Sequence, residues 1–161
     1  MKLKKIGALI AISTMLFGTC LSVSAEEIQP AGYHIYDIQE DQALDSWYGV
    51  SRGSYLQAGI AKIKKGSAAK YASCSGTTFA HQECDRVFVR VYLDQSNNGT
   101  NGWWTVNYWT GEDHNTSMVH ASVADYEITR DNYYRAQGSH SVTEGETTEV
   151  TTTCTNALYF D

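Results

Sequence analysis

Basic residues are scarce in this chain, with 12 Lys and Arg against 18 Asp and Glu. Lys2, Lys4 and Lys5 sit at the extreme start, so beyond residue 25 nine basic residues face 18 acidic ones, a formal charge of −9. Neutralising phosphates takes a clustered basic surface, which excludes nucleic acid and anionic lipid as expected partners. The one local cluster, Lys62, Lys64, Lys65 and Lys70, reads as charge on a strand edge that discourages sheet-to-sheet association. Long apolar runs are equally scarce. Ile6 to Phe17 is too short to span a bilayer, which takes about 20 residues, and no second run follows it. The C-terminal Ala157-Leu158-Tyr159-Phe160-Asp161 has neither the hydrophobic anchor nor the basic tail of a wall-sorting signal. No stretch carries a sustained helical repeat with caps. The cysteines lack the CxxC spacing of structural zinc sites, and neither GxSxG nor HExxH occurs. No catalytic residue, metal or cofactor is expected.

The N-terminus supplies what those absences leave open. A basic start, the apolar run and the small residues Val23-Ser24-Ala25 form a signal peptide over residues 1–25, cut after Ala25. The protein is expected to be secreted and to meet the membrane only during export. From Glu26 to Ser46 the chain is acidic and irregularly patterned around its single proline, Pro30. This segment, 26–46, reads as extended or disordered. Tyr33, Ile35 and Ile38 offer the alternative of an edge strand.

From residue 47 to 161 the hydrophobic period is two almost everywhere. Val87, Val89, Val91 and Leu93 alternate with Arg86, Phe88, Arg90 and Tyr92. Trp104, Val106 and Tyr108 alternate with Trp103, Thr105, Asn107 and Trp109, and Ala124, Tyr126 and Ile128 share one parity. Turn signals separate the runs at Lys65-Gly66-Ser67, Cys74-Ser75-Gly76, Asn97 to Gly102, Gly111-Glu112-Asp113, Arg130-Asp131-Asn132 and Glu144-Gly145-Glu146. The pattern predicts one all-β domain, an immunoglobulin-like or fibronectin-like antiparallel sandwich of about seven strands. Tyr134, entering a late strand from a polar turn, is the expected corner tyrosine.

Three cysteines follow the leader: Cys74, Cys84 and Cys154. In an oxidising compartment one pair can form. Cys74–Cys84 is the favoured disulfide, because Ser75-Gly76-Thr77-Thr78 gives the chain room to turn; the other pairings, or three unpaired thiols, stay open. Asp94-Gln95-Ser96-Asn97-Asn98-Gly99 mimics the start of a calcium loop, but Thr105 stands where a bidentate Glu is needed. His81, Glu83 and Asp85, or Asp113 and His114, form no nucleophile–base–orienter set.

The aromatic cluster is the best binding candidate. Strict alternation puts Trp103 and Trp109 on one face and Trp104 and Tyr108 on the other. Exposed flat rings stack on sugars, so Trp103, Trp109 and Tyr108 are the candidate ligand-binding residues, core packing being the competing explanation.

Three stretches in order, Cys84 to Leu93, Trp104 to Gly111 and Tyr133 to His140, resemble a family of small secreted proteins from clostridia and related Gram-positive bacteria. The resemblance covers roughly residues 48–160 and implies export and a single β-rich domain, with no assigned activity and no catalytic residues. The expectation is a non-enzymatic binding or interaction module with an unknown extracellular ligand, a glycan or a surface protein. Carbohydrate recognition through exposed tryptophan is the nearest alternative. An antimicrobial or toxin-like effector is another, and a small hydrolase with an unrecognised carboxylate pair the weakest.

Overall fold

The computed structural model describes residues 26–50 and 55–161; the expected signal peptide lies outside them. Eleven strands make up the described chain: β1 (Glu26–Ile28), β2 (Gly32–Ile38), β3 (Gln42–Gly49), β4 (Leu56–Lys65), β5 (Tyr71–Cys84), β6 (Arg86–Ser96), β7 (Trp104–Asp113), β8 (Thr116–Glu127), β9 (Asn132–Glu144), β10 (Thr147–Cys154) and β11 (Leu158–Phe160). One sheet runs β1-β10-β9-β6-β7, with β11 also on β9; the other runs β2-β3-β4-β5-β8. We call them sheet A and sheet B. All pairings are antiparallel except β1 with β10. The two sheets form a sandwich, as the period of two implies, with more strands than the seven expected.

β6 shows how the sequence makes the layer. Val87, Val89, Val91 and Leu93 are fully buried, while Arg86, Phe88, Arg90 and Tyr92 lie half-exposed on the outer face. Each buried aliphatic contributes about 1.5–3 kcal/mol relative to exposure. Opposite them β5 presents Ala72, Cys74, Gly76, Thr78 and Ala80. A Cβ on Gly76 would lie 2.9 Å from Val89, so glycine sets the sheet spacing there. Tyr134 pins the corner as expected: its hydroxyl accepts from the Thr129 N–H at 3.0 Å and lies 2.8 Å from the Thr129 carbonyl.

Five expectations change. Residues 26–46 belong to the sandwich, not to an extended or disordered leader: they supply β1, β2 and most of β3, and Asp45 is fully buried. The edge-strand alternative for Tyr33, Ile35 and Ile38 is the arrangement found. Cys74-Ser75-Gly76 is not a turn; β5 passes straight through it. Cys74 pairs with Val123 and Cys84 with Thr116 on β8; seven strand steps of about 3.3 Å hold the two cysteines roughly 23 Å apart, far beyond the roughly 4.4–6.8 Å a disulfide spans. All three described cysteines are free. The lysine cluster is not on an edge, since Lys62, Lys64 and Lys65 ride on β4, between β3 and β5.

The fifth change concerns parity. Leu93 pairs with Asn107 but Asp94 with Thr105, so Val106 is an extra residue. Such a bulge flips every side chain beyond it. Val123 pairs with Cys74 but Tyr126 with Ala72, and Asp125, at φ 51°, helps absorb the surplus. Ala124 therefore does not share a face with Tyr126, and Trp103 does not share one with Trp109.

Candidate functional site

Sheet A has an outer face on which the register builds a grid. Tyr92 stands between Gln137 on β9 and Tyr108 on β7, and Gln137 in turn opposes Cys154 on β10. The next row places Arg90 between Ser139 and Thr110, with Thr152 beyond Ser139. A third row sets Phe88 between Ser141 and Glu112. Aromatic rings on β6 and β7 thus adjoin a field of hydroxyls and one amide on β9 and β10. A groove of about 380 Å³, lined by Tyr92, Gln137, Ser139, Thr152 and Cys154, runs along the boundary.

Guanidinium groups knit the rings together. Arg90 lies 5.5 Å from the Phe88 ring centre and 5.2 Å from that of Tyr108, within cation–π range. Tyr92 and Tyr108 are 6.0 Å apart. Arg86 also lies over the Phe88 ring, at 5.1 Å, and pairs with Glu112 at 2.8 Å. The Glu112 carboxyl is held below its ordinary value by the Arg86 hydrogen bond. Arg135 pairs with Asp94 at 3.3 Å and lies 4.2 Å over the Trp103 ring. Arg90 differs from both. Among the described residues no carboxylate pairs with it, and its Nε is buried without an acceptor. A buried donor left unmade costs about 1–3 kcal/mol.

The sequence-predicted binding residues separate on this frame. Tyr108 is exposed on β7, at the lateral margin of the grid beside Tyr92 and Arg90. Trp103 is half-buried beneath Arg135, at one end of it. Trp109 opposes Val91, a core position, and packs edge-on against Tyr126 at 5.3 Å, so the surface cluster does not include it. Trp104 pairs with Gln95 and is 45% exposed. Sequence reasoning missed Arg90, Tyr92, Gln137 and Ser139, although the alternation in β6 already put Arg90 and Tyr92 outside. Which strands flank β6 is a long-range fact that local pattern does not carry.

Other candidate chemistry is committed to structure. Asp94, first of the calcium-like residues, is buried and also accepts from Thr105 at 2.8 Å. Ser96, Asn98 and Asn101 bond to one another across the turn. His140 is fully enclosed, and burial pushes its imidazole down to about 3. Lys62 and Lys64 border a groove of about 300 Å³ on sheet B with Ser75, His120 and Ser122. No group of three or more His, Cys, Asp or Glu among the described residues is placed to hold a metal ion.

Residues 21–158 match a family of unknown function, DUF6147. The chain belongs to that family. Its match spans every strand from β1 to β10, and so the whole outer face of sheet A described above. Neither the curated proteins nor the solved structures yield a match.

Proposed function

We propose that this DUF6147 chain is an exported, non-enzymatic binding module, and that its ligand is a glycan lying across the outer face of sheet A. The leader pattern supports export, as does the resemblance to small secreted proteins of clostridia and related Gram-positive bacteria. One observation carries the ligand reading: the juxtaposition of the Phe88–Arg90–Tyr108–Tyr92 stack with the hydroxyls and amide of Ser139, Thr152 and Gln137. A sugar ring offers an apolar C–H face and a rim of hydroxyls. A flat ring beside several small donors and acceptors meets both needs, and few polar groups suffice to fix orientation. Arg90, with free donor capacity, can serve a ring or carboxylate oxygen.

The test is a glycan array followed by titration calorimetry on each glycan bound. Tyr108→Ala and Tyr92→Ala are each expected to weaken binding about tenfold, equivalent to about 1.4 kcal/mol, while circular dichroism stays unchanged. An array without binding, or affinities indifferent to both substitutions, overturns the reading.

A further inference from the structure

The two lateral margins of the sandwich differ. On one side β7 and β8 close upon each other. A Cβ on Gly111 would lie 2.7 Å from the His120 carbonyl, and the Trp109–Tyr126 contact seals the gap. On the other side the margins are β1, only three residues long, and β2. β2 runs seven residues, Gly32–Ile38, all of them exposed. Its pairing with β3 is continuous from Gly32↔Gly49 to Ile38↔Ala43 without a bulge. In such an edge strand alternate N–H and C=O groups point away from the sheet, unpaired.

Soluble proteins blunt such an edge with lysine, proline or a bulge. β2 has none of these; Pro30 precedes it and the lysines ride on central β4. Instead it exposes Tyr33 at 51%, Ile35 at 49%, Tyr36 at 57% and Ile38 at 57%. Tyr33 stacks towards Tyr48 on β3 at 5.8 Å. The strand is also held rigidly in place. His34 Nδ1 lies 2.9 Å from the carboxylate of buried Asp45, and the Cys154 N–H donates to that same carboxylate at 2.7 Å. The edge is long, straight, apolar and anchored, which is the description of a template for a further strand.

The geometry points to β2 as a dimerisation edge, where a second copy of this chain pairs antiparallel about Ile35 and joins two five-stranded sheets into one. The strand's own sequence fits this occupant, because it opposes itself without a like-charge clash, as an isologous two-fold contact requires. With Ile35 on the two-fold axis, His34 faces the partner strand's Tyr36 position, Asp37 faces the Tyr33 position and Ile35 faces its own equivalent. Glu40 and Asp41 lie beyond β2, in the turn into β3. Asp37, the one acidic residue within β2, thus meets a neutral one, although the chain as a whole is strongly acidic. Opposed residues of an antiparallel pair point to the same side of the sheet, so the axis stands perpendicular to sheet B. Both sheet A faces then look the same way, an arrangement suited to bivalent attachment. The dimer itself does not depend on what sheet A binds.

Sedimentation equilibrium of the purified protein over micromolar to hundreds of micromolar concentration reads the prediction. Wild type is expected to dimerise reversibly. Ile35→Lys and Ile35→Glu each place like charges on the axis and are expected to weaken dimerisation at least tenfold. Their equimolar mixture is expected to form heterodimers, because opposite charges then meet. Ile35 is half-exposed in a single copy, so both variants should fold, which circular dichroism checks. A wild type that stays monomeric throughout, leaving the edge to a foreign strand, overturns the proposal. So does a dimer indifferent to both charges, or a mixture that fails to associate.

Discussion

Lowering the pH from 7 to 5 should destabilise this sandwich through one side chain, His140. The ring is slotted between two glycines: a Cβ on Gly59 would lie 2.6 Å from it, and one on Gly138 would lie 2.4 Å from its Nε2. The proton inventory fixes its tautomer. Thr78 donates its hydroxyl to the Phe88 carbonyl at 2.8 Å, so it accepts from His140 Nδ1–H at 2.9 Å. Nε2 is then bare and accepts from the Thr153 hydroxyl at 2.9 Å. Burial lowers the imidazole to about 3, against roughly 6.5 in an unfolded chain. Between those values only the unfolded state binds the proton. The stability is therefore fully present above about pH 6.5 and is lost at about 1.4 kcal/mol per unit as the pH falls towards 3. At pH 5 the loss is about 2 kcal/mol, or roughly 6–12 °C in Tm for a domain of this size. Carboxylates add their own acid sensitivity, so the diagnostic quantity is a difference. Urea unfolding at pH 7 and pH 5 should show a wild-type loss about 2 kcal/mol greater than that of His140→Gln, which cannot titrate. Equal losses would refute the buried neutral imidazole. If His140→Gln does not fold, the ring proton shifts of wild-type His140 decide the point: they should not titrate down to pH 4.

Gly138→Ala should cost about 1–3 kcal/mol in the same unfolding assay, because its Cβ collides with His140 and Thr153 together. Tyr134→Phe strands the Thr129 N–H that its hydroxyl accepts and should cost about 1–3 kcal/mol by thermal unfolding. Without reductant, the native protein should label rapidly at Cys154 alone among Cys74, Cys84 and Cys154. Cys74 and Cys84 are buried, which raises their thiols to about 12 and about 11. All three should label in denaturant, and a Cys74–Cys84 peptide in an unreduced digest would contradict the extended path of β5 between them.

Much of the architecture was legible because burial on one face leaves a local trace. The alternation of Val87, Val89, Val91 and Leu93 specifies a buried strand whatever its neighbours. The polar turn before Tyr134 likewise announced its corner. What failed was local pattern that only long-range pairing can resolve. Gly76 reads as a turn residue in sequence, yet it is glycine because Val89 and Val91 press against it from the other sheet. The bulges at Val106 and Asp125 leave no mark in a period-two reading, and they put Trp103 on the opposite face from Trp109 and Ala124 on the opposite face from Tyr126. The acidic segment before residue 47 misled in another way. β2 is an edge exposed on both sides, so it lacks the one-sided burial that makes a strand recognisable. The binding face fell between these cases: each residue's side of its strand was legible, but the assembly of Tyr92, Tyr108, Gln137 and Ser139 needed the order β10-β9-β6-β7.

The central claim is that the outer face of sheet A is the binding surface, and backbone amide chemical-shift mapping tests it most directly. With a glycan identified on the array titrated into labelled protein, the largest shifts should fall on Phe88, Arg90, Tyr92, Tyr108, Gln137 and Ser139, and sheet B should stay quiet. Shifts centred instead on the groove beside Lys62 and Lys64, or spread along β2 alone, would contradict it.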